Sequence, residues 1–381
     1  MKNWLRRILV WLVVLVIFAW SPVLWLVLPN KSVRILVIDK TVTDHDYREH
    51  ASLFWVLNHE KTVPPGQTRP WSIGRDYIGY FPAESPECFG AYLPLSPDEL
   101  QDIDLLYIAD AYGVSTEEMY DCTGGDNPFV GRSGLGGFDV MEVSAIETFI
   151  AGGGMVVGES STFGGLTTGV IRYQLSILFG VITTDWVGRY VEELNNPDEV
   201  PLWARQNYEA LNGNAWGFNG PGIMLVNDDQ RIVILEANRD VAPGGLPIHN
   251  LVDDPLLDGT VDDVPFLGWF DIVEAVPESQ VLAEFRLELT ESGASKADTF
   301  GIPDRFPAIV RISSAPLRLY FSGDFSDNST KDPPYYMSGW SWARKAGYLG
   351  GDVDYEKAFH WRYYVPLITN IIAAAEQAVG E

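Results

Sequence analysis

Residues 152–165, GGGMVVGESSTFGG, place a serine at the end of a short apolar run, where a strand gives way to a polar, glycine-rich turn. Ser160 there could serve as a nucleophile with Glu159 beside it. A serine hydroxyl, however, needs a positioned base before it attacks. The simpler reading is a strand end whose hydroxyl caps the following turn. Three more carboxyls follow apolar runs in the same way: Asp39 after VRILVI, Asp110 after LLYIA and Asp324 after LRLYFSG. Each alone is a turn-forming or capping aspartate. If the runs are parallel strands, the three converge with Glu159 on one rim, beside Lys40. Convergent acids can carry acid–base chemistry, hold a cation or bind sugar hydroxyls. The expected ligand site is therefore Asp39, Lys40, Asp110, Glu159 and Asp324, with Ser160 and Glu159 as the weaker catalytic alternative.

Other clusters point to less. TDHDYREH (43–50) gathers His45, Asp46 and His50, but without a zinc spacing. It reads as a solvated helix start capped by Asp44 or Asp46. SGDFSDNSTKD (322–332) lacks the central glycine and final glutamate of an EF-hand. No metal and no cofactor is expected. Trp340 and Trp342 in GWSWARKAGY read as docking against the domain, with a carbohydrate platform or partner surface as the alternative.

The elements that must position these groups follow from the apolar pattern. Val33–Ile38, Tyr77–Phe81, Leu105–Ala109, Met155–Gly158 and Val181–Ile182 are short, non-alternating runs typical of buried parallel strands. Between them lie helical patterns at 47–58, 142–151 and 166–179, and a helical turn at LSPDELQDI with Ser96 as its cap. Residues 113–139 read as an excursion. Residues 184–300 read as a β-rich, antiparallel or mixed insertion. Strands at Ala308–Ile312 and Leu317–Phe321 and a helix from Tyr355 to Ala378, kinked or begun by Pro366, close the chain. The fold expected is α/β, a parallel flavodoxin-like sheet with helices on both faces.

The first 33 residues form a separate unit. Ile8 to Leu28 carry no charge, and this stretch spans about 30 Å as a helix, enough to cross a bilayer. The expectation is one N-terminal transmembrane anchor over residues 8–28, with the N-terminus cytoplasmic and residues 34–381 extracytoplasmic. A formal charge of −26 argues against nucleic acid as a partner. Thirteen tryptophans speak mainly for core and interface packing. Cys88 and Cys122, the only two cysteines, are left either paired or free.

The succession VRILVI, DLLYIADAYG and ETFIAGGGMVVGESSTFGG, with the late LRLYFSGDFSDN and terminal helix, resembles class I glutamine amidotransferase-like domains. The F-x-x-x-GGG-x-x-x-G signature of their trehalose-utilisation-like relatives is matched from Phe149 to Gly158 with altered spacing. The chain also resembles uncharacterised bacterial membrane-anchored proteins carrying such a domain. The resemblance implies a G-x-C-x-G nucleophile elbow, which here reads Gly158-Glu159-Ser160-Ser161-Thr162. It also implies an H-P-E after the last strand, where this chain has Gly323-Asp324-Phe325. With cysteine and histidine both replaced, the expected function is non-catalytic binding of a small molecule, glycan or protein partner in the cell envelope. The alternative is a hydrolase of an envelope glycan or amide that uses Ser160 or the strand-end acids.

Overall fold

The computed structural model describes residues 4, 7, 11, 22–83, 90–115, 134–167, 169–312, 314–327, 339–347 and 355–380. Cys88 and Cys122 lie outside them, as do residues 328–332 of the acidic loop.

In chain order the first half contains β1 (Ile35–Asp39), α1 (Arg48–His59), β2 (Ile78–Phe81), β3 (Ala91–Leu93) and β4 (Leu105–Asp110). A small hairpin, β5 (Val114–Ser115) with β6 (Gly134–Leu135), precedes α2 (Val140–Ala151), β7 (Met155–Gly158) and α3 (Gly169–Phe179). The middle holds β8 (Val181–Val191), α4 (Leu202–Asn212), β9 (Gly222–Asn227), β10 (Ile232–Glu236), β11 (Leu246–Asn250) and β12 (Val264–Phe266). It continues with β13 (Trp269–Ala275), β14 (Ser279–Arg286) and α5 (Glu291–Phe300). The chain closes with β15 (Arg305–Ile312), β16 (Arg318–Phe321), α6 (Trp340–Gly347), α7 (Tyr355–Phe359) and α8 (Val365–Gly380).

The main sheet among the described residues is mixed, not parallel throughout, in the order β12-β11-β14-β15-β16-β7-β4-β1-β2-β3. Only its centre, β2-β1-β4-β7-β16, runs parallel. The strands beyond β16 are antiparallel: β15 pairs antiparallel with β16, and β14 with β15 although α5 lies between them in the chain. Residues 184–300 divide between both sheets: β11, β12 and β14 extend the large one, while β13 joins a second sheet ordered β10-β9-β8-β13. The apolar run at residues 266–270 is broken at Leu267-Gly268, where the chain leaves one sheet for the other. A Cβ on Gly268 would lie 2.6 Å from the Phe266 ring.

Each central strand sends alternate residues to two cores. Ile35, Val37, Leu105, Tyr107 and Val157 pack with α1 and α8. Leu36, Ile38, Leu106, Ile108 and Val156 pack with α2 and α3. Helix α2 starts at Val140, two residues before the predicted 142, because Asp139 and Glu142 form a capping box. The turn at Pro97–Leu100 is a single 3₁₀ turn, and Ser96 offers its carbonyl rather than its side chain, accepting from Glu99 N at 3.1 Å. Pro366 lacks the N–H that Arg362 O would need, and the residues just before it, His360–Tyr364, form a π turn. In α6, Trp340 packs against the main core, whereas Trp342 is exposed.

The anchor expected over residues 8–28 is corrected. Among the described residues no helix is long and apolar enough to cross a membrane. Helical residues 22–27 are instead held against the domain by polar contacts. Trp25 Nε1 donates to His59 O at 2.8 Å, and Lys61 Nζ donates to Trp25 O at 3.0 Å and Leu26 O at 3.2 Å. The ammonium thus occupies carbonyls that the helix end leaves unpaired. The single-pass topology and the extracytoplasmic placement, both derived from that anchor, are withdrawn with it.

Gly79 sits opposite Asp39 with φ +138°, and a Cβ there would fall 1.6 Å from Asp39 O. Gly79→Ala is expected to destabilise the protein by about 3 kcal/mol or more, since both backbone strain and collision must be relieved. A chemical denaturation midpoint close to wild type would contradict this close approach.

Candidate functional site

Parallel strands end on one edge, and the register decides which side chains meet there. Ile38 pairs with Ile108, but a register shift then sets Asp39 opposite Asp110 rather than Ala109. Gly158 lies level with Ile108 on one side and Tyr320 on the other. Glu159 therefore emerges between Asp110 and the β16 loop that carries Asp324.

Asp39 and His50 are both fully buried, with Asp39 Oδ2 2.5 Å from His50 Nδ1. The other ring nitrogen, Nε2, lies 3.0 Å from Ile73 O. A carbonyl only accepts, so Nε2 is the donor of that contact. Asp39 Oδ1 accepts from Thr41 N at 3.0 Å. Thr41 Oγ1 donates to Asp110 Oδ1, which also accepts from Tyr112 N at 2.6 Å. Burial, reinforced by the Asp39 charge, pushes the Asp110 carboxyl up to about 7.

Glu159 is buried, with Oε1 accepting from Tyr107 Oη and Oε2 from Ser326 N at 2.9 Å. Tyr107 Oη lies 3.3 Å from Tyr364 Oη in the π turn, so the network reaches the terminal helix. Burial pushes Glu159 up to about 8 despite these donors. Glu49, on the first turn of α1, is pushed up to about 9 by burial and by the charges of Asp39, Asp327 and Asp110. Its Oε2 is buried without a hydrogen-bond partner.

Asp324 is 6% exposed, and its Oδ1 is buried with no hydrogen-bond partner among the described residues. Its carboxyl is raised well above the usual range, by burial first and then by Asp327, Asp110, Glu159 and Glu49. Trp269 O accepts from Asp324 N at 2.9 Å, so the break between β12 and β13 borders this carboxyl. Arg48 Nε pairs with Asp327 at 2.5 Å at the mouth.

Asp39, Asp110, Glu159 and Asp324 are thus brought to one rim. Lys40 is not available there. Its ammonium is fully buried, bonded to Glu142 at 2.7 and 2.8 Å and to Gly137 O at 2.5 Å, and stacked 4.1 Å from the Phe138 ring. Desolvation lowers its pKa, and Glu142 opposes that. Ser160 engages through its carbonyl, which accepts from Tyr320 Oη at 3.3 Å. No hydrogen bond joins Ser160 Oγ to an imidazole or carboxyl among the described residues. The cluster at 43–50 is half solvated, as its charges imply. Asp46 Oδ1 accepts from Arg48 N at 3.1 Å, but Tyr47 occupies the cap position and His50 turns inward.

His50 and Glu49 belong to the cluster read as a solvated helix start, and the structure brings both to the site instead. His50, Leu53, Phe54 and Leu57 stand at i, i+3, i+4 and i+7 and are all buried. That spacing marks His50 as a core-facing residue. Tyr107 and Tyr364 carry no comparable mark. No group of three or more His, Cys, Asp or Glu among the described residues is arranged to hold a metal ion.

No protein-family model matches the chain, and no curated protein does. Among solved structures it is similar to a cytoplasmic protein from Salmonella typhimurium LT2, with 12% identity, 90% of this chain and 98% of that one covered, and a TM-score of 0.39. A second cytoplasmic protein from Salmonella typhimurium matches with 11% identity, the same coverages of 90% and 98%, and a TM-score of 0.38. A ThuA-like protein from Bacteroides uniformis matches with 9% identity, 81% and 88% coverage, and a TM-score of 0.34. ThuA-like proteins are therefore among the structures this chain is similar to. All three TM-scores are below 0.5, and the chemistry of the rim is derived from this chain alone.

Two predictions follow from the charges. Glu159 and Asp110 have folded pKa values above their unfolded ones, so the folded state binds more protons. Their contribution to stability is complete below about pH 4 and is lost as pH rises to about 8. Glu159→Gln is expected to flatten that fall, read as denaturation midpoints between pH 5 and 9, whereas an unchanged slope would mean Glu159 is ionised in the fold. Lys40→Ala leaves the buried Glu142 carboxylate without its cation and is expected to cost about 3–5 kcal/mol. Thermal unfolding near wild type would rule out the buried pair.

Proposed function

We propose that this protein binds a small hydroxylated molecule at the carboxyl edge of its parallel strands, without covalent chemistry. The observation that carries this reading is the Asp324 carboxyl, buried on the rim with an oxygen that no hydrogen bond satisfies among the described residues. Leaving such a group unsatisfied costs about 1–3 kcal/mol. A ligand hydroxyl donating to Oδ1 would recover that cost on binding. Glu49, with its own unsatisfied buried oxygen, stands close enough to add to the upward shift of Asp324.

The hydrolase reading has less support. Ser160 lacks a hydrogen-bonded base among the described residues. A pair of acids working as proton donor and ionised partner needs environments that push their pKa values apart. Here burial shifts Asp110, Glu159, Glu49 and Asp324 in the same direction.

Asp324→Ala should raise the melting temperature of the ligand-free protein by about 2–4 °C, as removal of an unsatisfied buried carboxyl predicts. It should also abolish any melting shift produced by neutral sugars and polyols, while Ser160→Ala keeps that shift. Turnover of a sugar ester or glycoside that disappears in Ser160→Ala would overturn the binding reading.

A further inference from the structure

Helix α3 departs from the pattern of a surface helix. Such a helix keeps charged or polar groups on the face turned to water. Here every exposed position after Gly169 is apolar: Val170 is 73% exposed, Tyr173 66% and Ile177 50%. They stand at i, i+3 and i+7 and form one stripe along the helix. The opposite side, with Leu175, Leu178 and Phe179, packs into the domain. A helix apolar on both sides belongs in an interior, and one copy of this chain covers only one of them. The start of α2 adjoins the same end, where Phe138 N donates to Thr167 Oγ1 at 2.9 Å, and Val140 and Met141 are exposed there as well. Single exposed apolar side chains need no explanation, whereas a contiguous stripe marks a contact surface.

Charge around the stripe selects what covers it. The chain has 52 acidic residues, yet none falls between Ser160 and Thr184. Arg172, the one charged residue of that stretch, is paired with Asp228 at 2.6 Å. Asp139, next to Val140, is committed to its own helix as the cap, accepting from Glu142 N at 2.9 Å. A formal charge of −26 opposes association of two copies wherever their acids face one another. At this stripe they meet without juxtaposed acids, and charges beyond about 8 Å are screened at physiological salt. A strongly basic or acidic partner would find no counter-charge on it. The stripe also matches itself. Tyr173 lies about 4.5 Å along the helix from Val170 and about 6 Å from Ile177. A two-fold axis near Tyr173 therefore sets Val170 of each copy against Ile177 of the other in an antiparallel helix pair.

We propose that this face is a homodimer interface, in which α3 packs against α3 of a second copy about a two-fold axis near Tyr173, with the starts of α2 at its border. The inference stands apart from the ligand reading above and shares no residue with it. Its driving force is burial of apolar surface, and the opposing force is repulsion between two acidic chains. Salt screens the second and leaves the first, so the dimer tightens as ionic strength rises.

The test is sedimentation velocity on the full chain over a concentration series at low and high salt, where a dimer that tightens with salt is expected. Tyr173→Asp and Tyr173→Lys each bring like charges together across the axis and should weaken dimerisation at least about tenfold. Both change an exposed side chain, and circular dichroism checks that the fold is kept. Mixed in equal amounts, the two variants should dimerise again, because opposite charges then meet. A wild-type monomer at every concentration up to about 100 µM would overturn the inference and leave the face to a different partner. Assembly that survives both substitutions would put the contact on another face. Variants that stay monomeric when mixed would show that α3 does not meet α3, and a dimer that weakens with salt would rest on charge. Each of these three results would overturn the inference too.

Discussion

The hydrogen bonds that end on Glu159 tie together the parts that make the rim. Tyr107 comes from the strand beside it, Ser326 from the loop after the last parallel strand, and Tyr364 reaches the same network from the π turn. Burying a carboxyl costs less where donors fill its oxygens, and Glu159 finds one donor in the strand and one in the loop, with Tyr364 bonded to the first of them. The strand edge, the loop and the terminal helix are therefore fixed relative to one another by one group that burial keeps largely protonated. Asp324 lies in that loop two residues before Ser326, and its position is inherited from this bond.

A second constraint is charge. The chain carries 52 acidic against 26 basic side chains, and several basic groups near the edge are already engaged. Lys40 is used up on Glu142, His50 lies against Asp39, and Arg48 pairs with Asp327. Those pairings separate the acids at the edge into two kinds. Asp39, Asp110 and Glu159 have donors for their oxygens and shape the site, whereas Asp324 and Glu49 retain unsatisfied oxygens. Satisfied groups hold geometry, and unsatisfied ones are where binding free energy remains to be gained.

The mixed character of the large sheet serves the same edge. Its antiparallel extension brings β12 next to β16's loop, and the break at Leu267-Gly268 then delivers Trp269 to Asp324 and Arg189 to Trp269. A parallel sheet alone would have supplied the acids without the β12–β13 break that borders Asp324. The segment at 184–300 in this sense borders the site, since β13 begins at Trp269, whose carbonyl accepts from Asp324 N.

The sequence by itself determined the central strands, because short apolar runs with both faces buried have few other uses. It also determined that Asp39, Asp110, Glu159 and Asp324 would share an edge, since parallel strands all end on the same side. It did not determine the anchor. An uncharged run such as 8–28 records apolarity, whereas the polar docking of Trp25 and Lys61 is a tertiary fact. Nor could it separate Lys40 from the rim, because adjacent residues at a strand end point to opposite faces and only packing shows which face holds Glu142. The pairing of Asp39 with Asp110 depends on a one-residue register shift, and the unsatisfied oxygen of Asp324 on what surrounds it. Local pattern fixes which residues are buried; which of them find a partner there is decided only when distant segments meet.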